Sequence, residues 1–366
     1  MSHVDLGSAL FPAAGPSVSI VITNYNYGRF VAQAIESALA QTHERVEVIV
    51  VDDGSTDNSR AVIERYCDRI IAVLKENGGQ ASAFNAGFAR ASGSSVIFLD
   101  ADDVLDRETA ARVAAAFAGR PDLAKVHYRL ELIDGAGRPL GGVIPPAGLQ
   151  LPRGDLREVV RLHPDDVPYP PSSGNAFAAW ALARVLPMPE EDFRILADVF
   201  LLNLVPLLGP AEVLEGTGGS YRVHGANRHY VATLQLERVR ATIRTIHATH
   251  RHRQALTTSL GLEGFPKAER DYRSLVFLSQ RIVSRKLDPG GHPLPGDTLR
   301  QLAIQGTGAA LSRMDLAPGL RLLYGVWFLA MAAAPRPLAA WLAEQMLYPE
   351  RRGKLSGIVE WLRRSR

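Results

Sequence analysis

Four short apolar runs, VSIVIT (18–23), VEVIVVDD (46–53), RIIAVLKE (69–76) and SVIFLD (95–100), each end in a polar loop and alternate with helix-periodic segments. The first intervening segment, RFVAQAIESALAQ (29–41), spaces Phe30, Ala34 and Ala38 alongside Val31, Ile35 and Leu39 at helical intervals. GGQASAFNAGFARASG (78–93) reads as a helix opened by glycine. Strands alternating with helices predict a parallel α/β sheet with right-handed crossovers. Ligands of such sheets bind beyond the carboxyl ends of the strands. The four loops TNYNYG, DDGSTD, KENGGQ and DADDVLD therefore open on one rim, and all four are polar.

With 366 residues, 46% of them hydrophobic and 22% charged, the chain can bury a full core and carry an appendage. A net charge of +3 gives no ground for general nucleic-acid binding. The one cysteine, Cys67, excludes an internal disulfide and suits a reducing, cytoplasmic compartment. Residues 1–16 read as a flexible leader without secretory character. From about residue 123 the pattern changes: AKVHYRLELID and GRPLGGVI flank DGAG as a hairpin, and DFRILADVFLLNLVPLLG is an amphipathic helix. After residue 230 the chain reads as mostly helical, with KLDPGGHPLPGD (286–297) as a linker.

Asp100, Asp102, Asp103 and Asp106 crowd the end of the fourth apolar run. Two carboxylates a few ångströms apart repel by roughly 3 kcal/mol at an effective dielectric near 20, so something must offset the repulsion. Asp100 and Asp102, two apart, can lean to one side. A magnesium or manganese ion there would take carboxylate oxygen and leave positions for phosphate. The alternative is that Asp102, Asp103 or Asp106 caps the helix RETAARVAAAFA. The other loops offer Thr23 and Tyr25 against a base, Asp53 for a base N–H or a ribose hydroxyl, Gly78 and Gly79 for close backbone approach, and Asn85 behind them. Packing serves as the alternative for Tyr25, and capping by Asp52 or Ser55 for the second loop.

In order and spacing, these four loops over roughly residues 17–105 closely resemble the N-terminal half of family 2 glycosyltransferases, with a weaker resemblance to about residue 230. The resemblance implies the GT-A fold, a mostly parallel sheet flanked by helices. The chain would then comprise a catalytic domain over 17–230 (17–105 for the nucleotide, 106–230 for the acceptor) and a helical extension over 231–366. It also implies that Thr23, Tyr25 and Asp53 hold the base, generally uracil, and that Gly79, Asn85, Asp100 and Ala101 line the donor. Asp102 would bind the metal on the diphosphate, joined by His224 of YRVHG, with Arg222 offered to phosphate. SSGNAF resembles the acceptor loop, putting Ser173, Gly174 and Asn175 near the reacting sugar.

Inverting members carry an acidic catalytic base at the start of a helix after that loop. ADVFLLNLVPLLG followed by YRVHG matches that stretch, which selects Asp198, with Ala197 in place of the usual acidic neighbour; Asp192 is the runner-up. The implied activity is metal-dependent transfer of a sugar from a nucleotide donor, UDP-linked, to a glycan or lipid-linked acceptor in polysaccharide biosynthesis of the cell envelope. The alternative, kept open by Ala197, is a non-catalytic sugar-nucleotide-binding subunit.

Two further stretches have readings of their own. TIHATHRHRQ brings His247, His250 and His252 together without a neighbouring carboxylate and reads as a solvated basic helix. LRLLYGVWFLAMAAA with flanking arginines could pack as a hydrophobic hairpin or lie on an anionic membrane surface at the cytoplasmic face.

Overall fold

A computed structural model of the chain describes residues 16–225, 234–266 and 273–347. Most of the leader, the end of the YRVHGANRHY stretch and the basic C-terminal run lie outside the described residues. In chain order the elements are β1 (Val18–Asn24), α1 (Val31–Leu39), β2 (Val46–Asp53), α2 (Ser59–Ile63), β3 (Ile71–Lys75), α3 (Gln80–Phe88), β4 (Ser95–Asp100), β5 (Val104–Leu105) and α4 (Thr109–Phe117). They continue with β6 (Lys125–Asp134), β7 (Pro139–Ile144), α5 (Arg157–Leu162), β8 (Asn175–Ala178), α6 (Ala179–Leu182), α7 (Ala197–Leu204) and β9 (Ala211–Val223). Helices α8 (Leu236–Ser259), α9 (Leu275–Leu287), α10 (Leu299–Ser312), α11 (Pro318–Ala333) and α12 (Arg336–Leu347) complete the described chain. It divides into two compact units, 1–157 with 168–225, and 158–167 with 226–366.

The first unit is built on one sheet in the order β3-β2-β1-β4-β8-β6-β9-β5, with β7 paired to β6. The first four strands are parallel, as their alternation with helices predicts. β1 is buried along nearly its whole length, as a strand covered on both faces must be. On one face α1 lays down Val31, Ala34, Ile35 and Ala38, a single helical stripe, against Ile20 and Ile22. On the other, the Phe84 ring of α3 stacks on Phe98 of β4 with centroids 4.2 Å apart. Full burial of such a side chain contributes about 1.5–3 kcal/mol, so a charge at Ile20 or Phe98 would break this half of the sheet.

Beyond β4 the sheet turns mixed. β8 joins β4 antiparallel, β6 joins β8 antiparallel, and β6 and β7 form the expected hairpin. The 13-residue β9 runs parallel to β6 through two register shifts and then pairs with β5, Val104 opposite Ser220. That curl returns the end of β9 to the segment just past β4, and it positions the site.

The second unit is helical. Leu278, Ile282 and Val283 of α9 pack with Leu302 of α10 and with Trp327, Phe328 and Met331 of α11. Ser274 caps α9 by accepting the Phe277 N–H at 3.1 Å, and Thr298 caps α10. Two expectations are corrected here. The stretch after α9 is no open linker: Asp297 takes Nε of Arg281 at 2.8 Å and His292 Nε2 at 2.9 Å, all three buried. His250 is not solvated either. It is buried 3.0 Å from Asp165, a carboxylate 85 residues away in sequence that no local reading could pair with it. Among the described residues no helix is long and apolar enough to cross a membrane.

Candidate functional site

The parallel register aligns four strand ends on one edge: Thr23 opposite Asp100, Asn24 opposite Asp52, and Asp53 opposite Lys75. At the centre of that edge Ala101 donates its N–H to the Thr23 carbonyl at 3.2 Å, and the chain turns so that Asp103 N–H meets the Asp100 carbonyl. Asp102 and Asp103 are both buried in the turn. His224, just past β9, sets Nε2 3.0 Å from Oδ2 of Asp102. Its ring lies against Phe30 and Tyr27, centroids 4.8 and 5.6 Å away.

The repulsion posed by the acidic cluster is offset in two ways. Burial, reinforced by Asp102 and then Asp100, pushes the Asp103 carboxyl well above the usual carboxylate range, favouring its neutral form. Arg222 lies beneath the turn. Its backbone N–H donates to Asp103 Oδ1 at 3.0 Å, its Nε to the Asp102 carbonyl at 2.7 Å and its Nη2 to Gln33 at 2.7 Å. Arg222 is thus built into the support of the turn, and the expectation that it meets phosphate is withdrawn. The capping alternative also fails, because α4 begins at Thr109 with Glu108 at the N-cap position and no side-chain cap.

One carboxylate oxygen and one imidazole nitrogen, both at a strand end, form a donor pair suited to a manganese or magnesium ion. Among the described residues no three His, Cys, Asp or Glu side chains converge on one point. A cation on Asp102 and His224 would therefore keep most of its positions for substrate oxygens, which is how hard divalent ions meet diphosphates.

Asp53 organises the neighbouring loop. Its Oδ1 accepts Lys75 Nζ at 2.7 Å and the Gly78 N–H at 2.9 Å, while Oδ2 accepts Asn77 Nδ2 at 3.0 Å and the Gly79 N–H at 2.7 Å. Gly79 has φ +90°, and a Cβ there would stand 2.6 Å from the Arg194 carbonyl. Only glycine lets this loop reach the segment before α7. Tyr25 and Thr23 stand half-buried on the rim.

Helix α3 holds the segment that carries both candidate bases. Asn85 donates to the Met188 carbonyl and accepts the Met188 N–H, each at 2.9 Å. Gln80 N–H donates to the Arg194 carbonyl at 2.9 Å, and Gln80 Oε1 accepts the Ala197 N–H at 3.0 Å. Ala197, which replaces the expected acid, is thus an anchor point. Leu196 then takes the left-handed φ of 59°, an unusual choice for a branched residue, and α7 begins. Asp198 sits half-buried in its first turn, accepting the Val199 N–H at 3.0 Å; Asp192 is also half-buried.

One neighbour has no counterpart among the residues that the sequence motifs single out. Lys125 of β6 is fully buried, with Nζ 3.7 Å from the Tyr169 ring centroid. Burial drives its pKa well below the ordinary lysine value, and the charge of Asp198 works against that shift. No alternation marks it, because Lys125, Val126, His127 and Tyr128 are all buried.

Ser173, Gly174 and Asn175 are fully buried behind the rim. Ser173 Oγ accepts the Asp100 N–H at 3.0 Å, and Asn175 Nδ2 donates to the Pro171 carbonyl at 2.7 Å. Ser173 thus braces the acidic turn, and Asn175 holds the loop that carries Ser173.

Comparison with known proteins agrees with this architecture. The profile of glycosyl transferase family 2 matches residues 19–145. An uncharacterized glycosyltransferase of Nostoc sp. is 40% identical over 221 residues, 59% of this chain and 67% of the relative. Glycosyltransferase GlyG of Streptococcus pneumoniae is 37% identical over 92 residues, 24% of this chain and 31% of that protein. Among solved structures, S. aureus TarS 1-349 superposes over 92% of each chain with a TM-score of 0.52 at 16% identity, a likeness of fold. The chain belongs to glycosyl transferase family 2 and is a glycosyltransferase of GT-A fold.

Proposed function

We propose that this chain is an inverting, metal-dependent glycosyltransferase that moves a hexosyl or N-acetylhexosaminyl group from a UDP-sugar to a hydroxyl of a glycan or lipid-linked acceptor. The observation that carries the reading is the 3.0 Å pairing of Asp102 with His224 at the carboxyl edge of the parallel strands. Thr23, Tyr25 and Asp53 receive the base, and Gly79, Asp100 and Ala101 border the donor, while Asn85 stands behind them and holds the loop that leads to Asp198. Ser173, Gly174 and Asn175 form the loop near the reacting sugar, with Ser173 Oγ accepting the Asp100 N–H. In this reading residues 17–230 do the chemistry and 231–366 form an extension. Cys67, the only cysteine, is exposed, in keeping with a cytoplasmic protein.

Asp102 and His224 would hold a manganese or magnesium ion, which supplies positive charge to the leaving diphosphate. Asp198 takes the proton of the acceptor hydroxyl while that oxygen bonds to the anomeric carbon. The bond from that carbon to the β-phosphate oxygen breaks on the opposite face, and its electron pair leaves with the nucleoside diphosphate. General-base assistance is worth about 10²–10⁴ in rate.

The test is turnover and donor affinity in Asp198→Asn and Asp192→Asn. The first variant is expected to lose turnover by about 10²-fold or more while binding donor normally; the second is expected to stay active. The reverse pattern reassigns the base, and no donor hydrolysis by the unaltered chain would favour a binding subunit.

A further inference from the structure

Among the described residues the second unit exposes an apolar face that their own packing leaves uncovered. On α11, Leu322, Val326 and Leu329 recur at i, i+4 and i+7 and are all exposed, Leu322 at 63%. On α10, Ile304 and Leu311 repeat seven residues apart and are likewise exposed, Ile304 at 61%. The two helices form a close hairpin, with Thr307 Oγ1 donating to the Gly325 carbonyl at 3.2 Å and Phe328 seated where a side chain at Gly306 would be. Their opposite stripes, Leu302 and Ala309 on α10 and Trp327 and Met331 on α11, are spent in the helical core. Each helix is thus apolar on both sides, one side packed and the other open. On α12, Leu338 and Trp341 add to the exposed set. Exposed large apolar side chains repeated along adjoining helices mark an interaction site.

Charge selects the occupant. Neither α10 nor α11 carries an acidic residue; Arg300 on α10 and Arg336 at the start of α12 are exposed, while Arg321 on α11 turns its guanidinium onto the Leu316 and Met314 carbonyls. The chain that follows, residues 348–366, carries six Arg or Lys against two Glu. An apolar face rimmed by arginine, with a half-exposed tryptophan beside it, fits the boundary between acyl chains and anionic headgroups. A second copy of the chain would bring arginine against arginine.

We infer that the outer face of the α10–α11 hairpin docks on an anionic lipid bilayer, inserting Leu322, Val326, Leu329, Ile304 and Leu311 to headgroup depth with the exposed Arg300 and Arg336 on the headgroups. This does not depend on the proposed reaction, because lipid binding is read without turnover.

The experiment is co-sedimentation of the full chain with vesicles of phosphatidylcholine alone or mixed with phosphatidylglycerol, alongside the triple variant Leu322→Gln, Val326→Gln, Leu329→Gln. The unaltered chain is expected to partition at least about tenfold more strongly onto the anionic vesicles, and the triple variant to lose that gain while melting at an unchanged temperature. Arg363→Gln with Arg364→Gln is expected to weaken binding only partly. Equal partition by the triple variant, abolition of binding by the terminal arginine pair alone, or absence of vesicle binding overturns the proposal. So does a dimer in sedimentation velocity that the triple variant dissolves without any effect of lipid.

Discussion

Asn85 and Met188, 103 residues apart, exchange two hydrogen bonds of 2.9 Å between one side-chain amide and one backbone unit. The amide of Asn85 is thereby committed to the loop that leads to Asp198, the proposed base. Asn85→Ala removes both bonds and leaves the Met188 groups to find water. Donor affinity is expected to hold, while kcat falls on the order of tenfold to a hundredfold because the acceptor base is misplaced. Asn85→Asp, which can accept but not donate, should fall between. Calorimetry of donor binding beside steady-state turnover checks the split; a change in donor affinity alone would return Asn85 to the donor wall.

Metal removal tests the pairing of Asp102 with His224. Chelation is expected to reduce turnover by about 10³-fold or more, with recovery on adding manganese or magnesium, since a cation on a leaving diphosphate contributes several kcal/mol. Asp102→Asn should not recover at any metal concentration reached, whereas His224→Ala should recover at higher metal. A thermal-shift series checks binding separately: nucleoside diphosphate and metal together at about 100 times their dissociation constant should stabilise by about 2.7 kcal/mol. A chain that works fully in chelator has no cation in its mechanism.

Local pattern makes one part of the molecule legible in its sequence. β1 to β4 declare themselves because each run is short, β-branched and closed by a polar loop, and their parallel register follows from alternation with helices. The acidic turn is equally plain, yet its relation to His224, 122 residues on, rests on resemblance, because only the curl of β9 toward β5 brings them together. Resemblance also puts Asn85 beside the donor, but its hold on Met188 is a long-range bond without local trace. Residues 286–297 read as a linker because Pro and Gly look alike in an open tether and in a clasped loop. Lys125 and the pairing of His250 with Asp165 stay hidden for the same reason: burial is decided by distant neighbours.

Asp166 gives the helical unit a pH dependence. Its side chain accepts the N–H groups of Leu275 and Val276 at 2.9 Å and pairs with Arg313 at 2.6 Å, almost fully buried. Burial outweighs Arg313 and these donors, and Asp165 adds to it, so the carboxyl is pushed up from 3.8 to about 6. The folded form then binds the proton more tightly than the unfolded one, and stability present below about pH 4 is lost as pH rises through about 6. That displacement corresponds to about 3 kcal/mol. Asp166→Asn is expected to lower stability by about 1–3 kcal/mol in acid by leaving one N–H unpaired, and to flatten the loss between pH 4 and 6. Urea denaturation at several pH values compares the two slopes, and equal slopes would assign the titration to another group.

The clasp at Asp297 sets the last expectation. Arg281 grips this carboxylate with two nitrogens, Nε at 2.8 Å, and His292 approaches it at 2.9 Å while its other nitrogen meets Ser284 Oγ at 3.0 Å. The side chains of Arg281 and Asp297 are each 5% exposed, so removing one strands the other in a medium that cannot solvate it. Asp297→Ala is expected to cost about 3–5 kcal/mol, a large share of an ordinary domain's stability. Replacing both partners with apolar residues, Arg281→Met with Asp297→Leu, should recover much of that loss, since the desolvation cost of the two charges offsets most of the attraction between them. His292 loses its carboxylate in either case, so Asp297→Asn, which retains an acceptor for it, separates the histidine contribution from the arginine one. Melting curves of the three variants decide the matter: if Asp297→Ala melts with the unaltered chain, the loop after α9 is not held by this cluster.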